Sequence, residues 1–260
     1  MSRPRVLTVC NQKGGVGKTT TAVNLGAALC ERGRRVLLVD TDPQANATSG
    51  LGYPSGTVDR SVYDVLVLGQ PIGDVLLGVP AVPGLALAPA SLALAGAELE
   101  LADLARREYR LRYALEGVEG FDYVLVDSPP SLALITVNCL VAADAMLIPL
   151  QCEYYALEGL SLLTHTHGLV TQELNPQLDL AGIVMTLFDP RTLLSGQVVA
   201  EVRRRFPDQT FATVIPRSVR VSEAPSHGLP ITVYDPTGRG SASYRALADE
   251  LLTRDALVAA

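Results

Sequence analysis

Five short apolar runs constrain this chain more than any other feature. They are "RVLTVC" (5–10), "RRVLLVD" (34–40), "FDYVLVD" (121–127), "DAMLIPL" (144–150) and "LDLAGIVMTLF" (178–188). Near-continuous Val, Leu and Ile without polar alternation suits strands buried on both faces, as in a parallel sheet covered by helices. Helical patterns fall between the runs. The first, 19–33, has apolar residues at Ala22, Leu25 and Leu29 and a stop at Gly33. Others cover roughly 60–68, 91–116, 131–142, 156–174, 193–206 and 241–258. "GLALAPASLALAGAE" reads as a strand followed by a helix start. The alternation predicts an α/β fold: a doubly wound, mostly parallel sheet with helices on both faces, in a single domain over 1–260.

With 48% hydrophobic residues, 5% aromatic and no Trp, the core must be aliphatic. The net charge of −6 excludes a polycation, but the charge is uneven. No Lys or Arg lies between Arg112 and Arg191, whereas the segment from Arg191 to Arg254 is rich in arginine. That segment is either a set of scattered surface arginines or a local face for a polyanion. Cys10, Cys30, Cys139 and Cys152 include no CxxC pair and read as reduced, mostly buried thiols of a cytoplasmic protein. His165 and His167 lie two apart on a helical pattern, so they point different ways. "MSRPR" runs straight into a strand, and no secretory signal is expected. The most apolar window is broken by Pro80, Pro83 and Pro89, so no membrane span is expected.

Residues 11–20, "NQKGGVGKTT", join the first strand to the first helix. Strand, glycine-rich turn and helix is the setting in which backbone N–H groups and a helix N-terminus hold phosphate. Gly14, Gly15 and Gly17 let those N–H groups turn inward. Val16, Lys18, Thr19 and Thr20 complete the candidate nucleotide-binding loop. Lys18 offers a point charge to the β- and γ-phosphates, and Thr19 a hydroxyl to Mg²⁺. The usual G-x-x-x-x-G-K-[ST] spacing fails at its first position, where Gln12 stands, followed by Lys13. Lys13 and Lys18 are the chain's only lysines among 21 basic residues. Two in one loop suggest two separate jobs.

At this point a family resemblance enters. "KGGVGKTT" resembles the deviant Walker A motif of the ParA/MinD/nitrogenase-iron-protein superfamily. "VLLVDTDPQANAT" (36–48) resembles its switch I region, and "DYVLVDSPPSL" (122–132) its Walker B and switch II. "TLFDPRTLLSGQVVAEVRRRF" and "VIPRSVRVSEAPSHGLPITVYDP" are similar to the chromosomal ParA (Soj) branch. The likeness covers nearly the whole chain.

The resemblance implies a Mg²⁺-dependent ATPase that cycles between a DNA-bound dimer and a free form. Lys18 then serves the nucleotide of its own subunit. Lys13 reaches across a homodimer interface that sandwiches ATP. Asp42 orients or activates the attacking water. Asp40 and Asp127, at strand ends where ligands of parallel sheets sit, attend Mg²⁺ through water, with Thr19 as the direct hydroxyl. Pro216 and Val219 become adenine contacts, or else belong to an ordinary loop. Arg191, Arg217 and Arg220 carry non-specific double-stranded DNA binding, with a salt-bridge role as the alternative for Arg191 or Arg220. Arg203, Arg204 and Arg205 either join that patch or are a solvated helix face. A ParB-type centromere-binding partner and a nucleoid-associated location complete the expectation. Rival readings are a MinD-like membrane-cycling ATPase, an electron-transfer protein and a metabolic P-loop enzyme. The end "LADELLTRDALVAA" is acidic and short for a membrane-binding helix, and the cysteines lack the setting of a shared cluster.

Overall fold

The computed structural model describes residues 3–54 and 56–258. Each apolar run forms a strand: β1 (Arg5–Val9), β2 (Val36–Asp40), β5 (Tyr123–Asp127), β6 (Ala145–Gln151) and β7 (Asp179–Phe188). Three more complete the set: β3 (Leu77–Gly78), β4 (Leu85–Ala88) and β8 (Thr210–Pro216). The sheet order is β3-β4-β2-β5-β1-β6-β7-β8, parallel except for β3.

Alternate strand residues feed two cores. Leu37, Val39, Val124 and Val126 face one side; Val36, Leu38, Tyr123 and Leu125 face the other. The first face is covered by α3 (Val62–Leu66), α4 (Leu94–Ala102), α5 (Arg110–Glu116), α6 (Leu134–Ala142), α7 (Ala156–Glu173) and α8 (Leu193–Arg205). The second is covered by α1 (Lys18–Glu31), α10 (Ile231–Tyr234) and α11 (Arg239–Val258). Two further short helices, α2 (Asn46–Gly50) and α9 (Val219–Glu223), lie at the carboxyl edge discussed below. The doubly wound α/β architecture is therefore the observed one. All four cysteines are unpaired, and burial pushes the Cys10 and Cys139 thiols up to about 12.

Three expectations change. The helix expected over 91–116 is interrupted: Arg106 is left-handed, with φ of 52°. A non-glycine residue there ends a helix. The break is held by side chains. Arg107 Nη1 donates to the Ala102 carbonyl at 2.7 Å, and Asn138 of α6 takes the freed Leu111 N–H and donates to the Arg107 carbonyl. The second change is β8, an edge strand whose mixed burial gives no apolar run. Its outer edge is occupied by α11: the Glu250 carboxylate accepts the Ala212 and Thr213 N–H groups at 2.8 and 3.0 Å. The helix expected from 131 starts at Leu134.

Asn175, in the turn between α7 and β7, ties that turn to the end of α6. Its buried amide donates to the carbonyls of Leu140, Val141 and Ala143 at 2.8–3.2 Å. Asn175→Ala strands the end of α6 without partners and is expected to cost about 1–3 kcal/mol. Urea unfolding measures it; an unchanged midpoint contradicts this role.

Candidate active site

The parallel register sets the site. Asp40 and Asp127 are direct cross-strand partners at the carboxyl ends of β2 and β5, and Val9 pairs with Asp127 from the other side. Both carboxylates are fully buried. Asp40 is well satisfied: Thr48 gives it an N–H at 2.9 Å and a hydroxyl at 2.7 Å, and Asp42 an N–H at 3.2 Å. Asp127 is not: neither of its oxygens has a hydrogen-bond partner, although Thr19 stands near it. Burial first, then the Asp40 charge, push the Asp127 pKa well above the usual carboxylate range; Lys18 pulls it down. Burial likewise raises Asp40 to about 6, against the hydrogen bonds from Thr48.

Between β1 and α1 the loop turns through Gly15 (φ 76°) and Gly17 (φ 90°), the latter capping α1. Both are left-handed positions that glycine adopts without penalty. Three hydrogen bonds fix the loop from outside. Asn11 donates to the Pro149 carbonyl at 2.8 Å while accepting the Lys13 N–H, and Thr186 Oγ1 donates to the Val16 carbonyl at 2.8 Å. Lys18 is 6% exposed, and its ammonium donates to the Lys13 carbonyl at 3.1 Å. Burial lowers its pKa, opposed by Asp127 and Asp42. Lys13 is exposed, and its ammonium pairs with the Glu153 carboxylate just past β6.

A cleft of about 510 Å³ opens over these groups. The loop from Gly14 through Thr20 lines one wall, except Val16, which is buried beneath it. Asp42, Asn46, Ser49 and Gly50 line another, with Ser222, Pro225 and Leu229 beyond. Asp42 Oδ1 accepts the Gln44 N–H at 2.9 Å. Pro216 lines a smaller cavity next door, with Thr186, Leu187 and Tyr244. Val219 lines neither and is 74% exposed.

The arginines after β7 and β8 are not equivalent. Arg191 grips Asp189 through two bonds of 2.9 and 2.7 Å. Arg220 pairs with Glu223 at 3.5 Å and stacks over Tyr234. Arg204 and Arg205 both bind Glu201. Arg217 is exposed and makes no side-chain ion pair among the described residues.

Several participants carry no signal a residue-type scan would catch. Thr48 lies eight residues past Asp40 and only the fold brings it back. Glu153 and Thr186 act on the loop from neighbouring strand ends. Among the described residues no three His, Cys, Asp or Glu side chains form a metal cage. A hydroxyl beside one unpartnered carboxylate suits a hard cation that keeps waters and phosphate ligands.

A glycine loop leading into a helix whose first residue is a cleft lysine, with strand-end carboxylates beside it, defines a P-loop nucleotide-binding protein. A family model described as "AAA domain" matches residues 4–180. The chain is 52% identical over 248 residues to the sporulation initiation inhibitor protein Soj of Bacillus subtilis (strain 168), covering 95% of this chain and 98% of that one. It is 52% identical to the chromosome partitioning protein ParA of Myxococcus xanthus (strain DK1622), covering 96% and 89%. A crystal structure of cobyrinic acid a,c-diamide synthase from Mycobacterium smegmatis, with bound ATP analog and magnesium, superposes with a TM-score of 0.85 at 41% identity, covering 97% and 96%. The chain belongs to the ParA/Soj family of chromosome-partitioning ATPases.

An acid whose pKa rises on folding keeps a proton that the unfolded chain releases. Its stabilising share is complete below the ordinary value and is lost as pH rises through the folded value. Asp127→Asn removes that penalty. It should stabilise the nucleotide-free protein at neutral pH, with the gain shrinking as pH falls toward about 4. Urea unfolding of both proteins at pH 4.5 and 7 checks this. Equal stability at pH 7 contradicts it.

Proposed function

We propose that this protein is a ParA-type partition ATPase. Its ATP-bound homodimer holds double-stranded DNA without reading sequence and releases it when ATP is hydrolysed to ADP and phosphate. A ParB-type centromere-binding partner stimulates that step, so that chromosome or plasmid DNA is segregated in the cytoplasm on the nucleoid. The observation that carries this reading is the buried Asp127 carboxylate, unpartnered in the fold and next to the Lys18 and Thr19 that line the cleft.

In this reading the amides of Gly14–Thr20 and the Lys18 ammonium hold the phosphates. The Thr19 hydroxyl, with Asp40 and Asp127 through water, holds Mg²⁺. Bound there, magnesium would supply positive charge to the phosphates. Asp42 orients the water for in-line attack. Pro216 borders the adenine, and Pro225 and Leu229 take the place expected of the exposed Val219. Lys13 leaves Glu153 and supplies positive charge to the nucleotide of the partner subunit, a reach that suits a flexible point charge. Arg217 is the arginine readiest for phosphate, while Arg191 and Arg220 exchange a carboxylate for DNA. Dimerisation doubles this weak patch, which makes DNA affinity depend on the nucleotide. The synthase name of the 41% identical structure favours a second reading, a metabolic enzyme acting on a small molecule. Among the described residues no helix is long and apolar enough to cross a membrane.

The test is binding to non-specific duplex DNA without nucleotide, with ADP and with ATP·Mg²⁺. Tight binding is expected only with ATP. Lys13→Ala and Arg220→Ala should each weaken it by at least about tenfold. Asp42→Ala should keep DNA binding and lose about 100-fold or more in hydrolysis. No DNA binding in any state removes the partition reading in favour of the metabolic one. A second prediction concerns Glu153. An exposed ion pair holds about 0.2–1 kcal/mol, so Glu153→Gln should raise ATP-dependent dimerisation by at most about fivefold. Weaker dimerisation would mean that Glu153 supports the dimer rather than restraining Lys13.

A further inference from the structure

Two walls of the cleft touch backbone to backbone. One is α2 with the turn after it, which follows Asp40 and Asp42 in sequence. The other is the turn 224–228 that follows α9. Gly228 has φ of 67°, and a methyl group built on it would lie 2.8 Å from the Gly52 Cα and 3.1 Å from its nitrogen. Beside this contact, a methyl on Gly50 would meet Pro225 Cβ at 3.5 Å. No side chain intervenes to absorb movement.

Both sides are tied beyond the contact. On the α2 side, Thr48 binds Asp40 twice, and the Gly52 N–H donates to Ser49. On the other side, the N–H groups of Gly228 and Leu229 close the turn onto Pro225 and Ala224. The Ile231 N–H then donates to the buried Asn24 of α1 at 2.6 Å. The turn is thus held between the phosphate-loop helix and α2, while Pro225 and Leu229 face the cleft on one side and Asn46 and Ser49 on the other.

We infer that Gly52 and Gly228 are positioning residues for hydrolysis: a base seated against Pro225 and Leu229 sets the place of α2, through Thr48 that of the Asp40 carboxylate, and through Asp40 that of the Asp42 N–H. The inference rests on the reading of this cleft as an ATPase site. It makes the base part of the catalytic geometry as well as a source of affinity. Packed backbone moves as a unit because it cannot deform by fractions of an ångström at low cost.

Gly228→Ala tests the contact, with Gly33→Ala as control. Gly33 is also left-handed (φ 75°) but has no atom within 4 Å of an added methyl. ATP turnover, ADP affinity and thermal unfolding are measured for both. Gly228→Ala is expected to lower kcat at least about tenfold while ADP binding changes less than about threefold; the control keeps its kcat. A kcat no lower than the control's, or equal losses in kcat and ADP affinity, overturns the inference. Hydrogen exchange on the wild type gives a second reading that needs no variant. ADP·Mg²⁺ should slow exchange at 46–53, whereas pyrophosphate·Mg²⁺, at a concentration that slows exchange at 14–19, should not. Equal protection by the two overturns the coupling. Failure of the wild type to hydrolyse ATP sinks the ATPase reading instead, and exchange still reports on the contact.

Discussion

The site depends on the register between β2 and β5. That pairing sets Asp40 against Asp127 at the same height, inside the protein, with Val9 and the phosphate loop one strand away. Two buried carboxylates side by side are a poor arrangement for stability alone, since each opposes the ionisation of the other. They suit a place where a divalent cation and a cationic lysine arrive together. Asp40 is stabilised from within by Thr48, whereas Asp127 is left without a partner.

Much of this was legible in the sequence, because strands buried on both faces write themselves as apolar runs. The five strands around the cleft read that way, and so did the glycine loop, whose residues are chosen by backbone conformation. What escaped had a different physical origin. β8 is an edge strand stabilised by Glu250 rather than by a buried run. The break at Arg106 depends on Asn138, 32 residues later in a different helix. The helices α2, α9 and α10 are too short to show a period. In the site, Lys18, Thr19 and Asp42 could be named in advance as cleft groups, and Pro216 as a group of the cavity next door. Thr48, Glu153 and the 224–229 turn could not, because their role exists only once distant segments meet. Val219 follows only from the likeness of "VIPRSV" to the family loop around adenine; it is exposed and lines neither cavity.

Charge follows the same division. Counting arginines after residue 190 suggests a strongly basic face, yet most of those side chains hold a carboxylate or a carbonyl. Surface ion pairs of this kind are weak and exchangeable. Arg191 and Arg220 are therefore available to a polyanion at the cost of a modest pair, and Arg217 without one. Lys13 is in the same position: its exposed pair with Glu153 is easily exchanged.

The way α11 occupies the β8 edge has a consequence for assembly. Glu250 takes the N–H groups of Ala212 and Thr213, and Arg254 donates to the carbonyls of Asp208 and Thr210. At the opposite margin β3 is only two residues long. Among the described residues neither margin offers a long free row of backbone groups to a second copy, which is how sheets avoid joining edge to edge. Contact between copies of this chain is then left to side-chain surfaces. Copies can be added and removed without disturbing a single strand of the sheet.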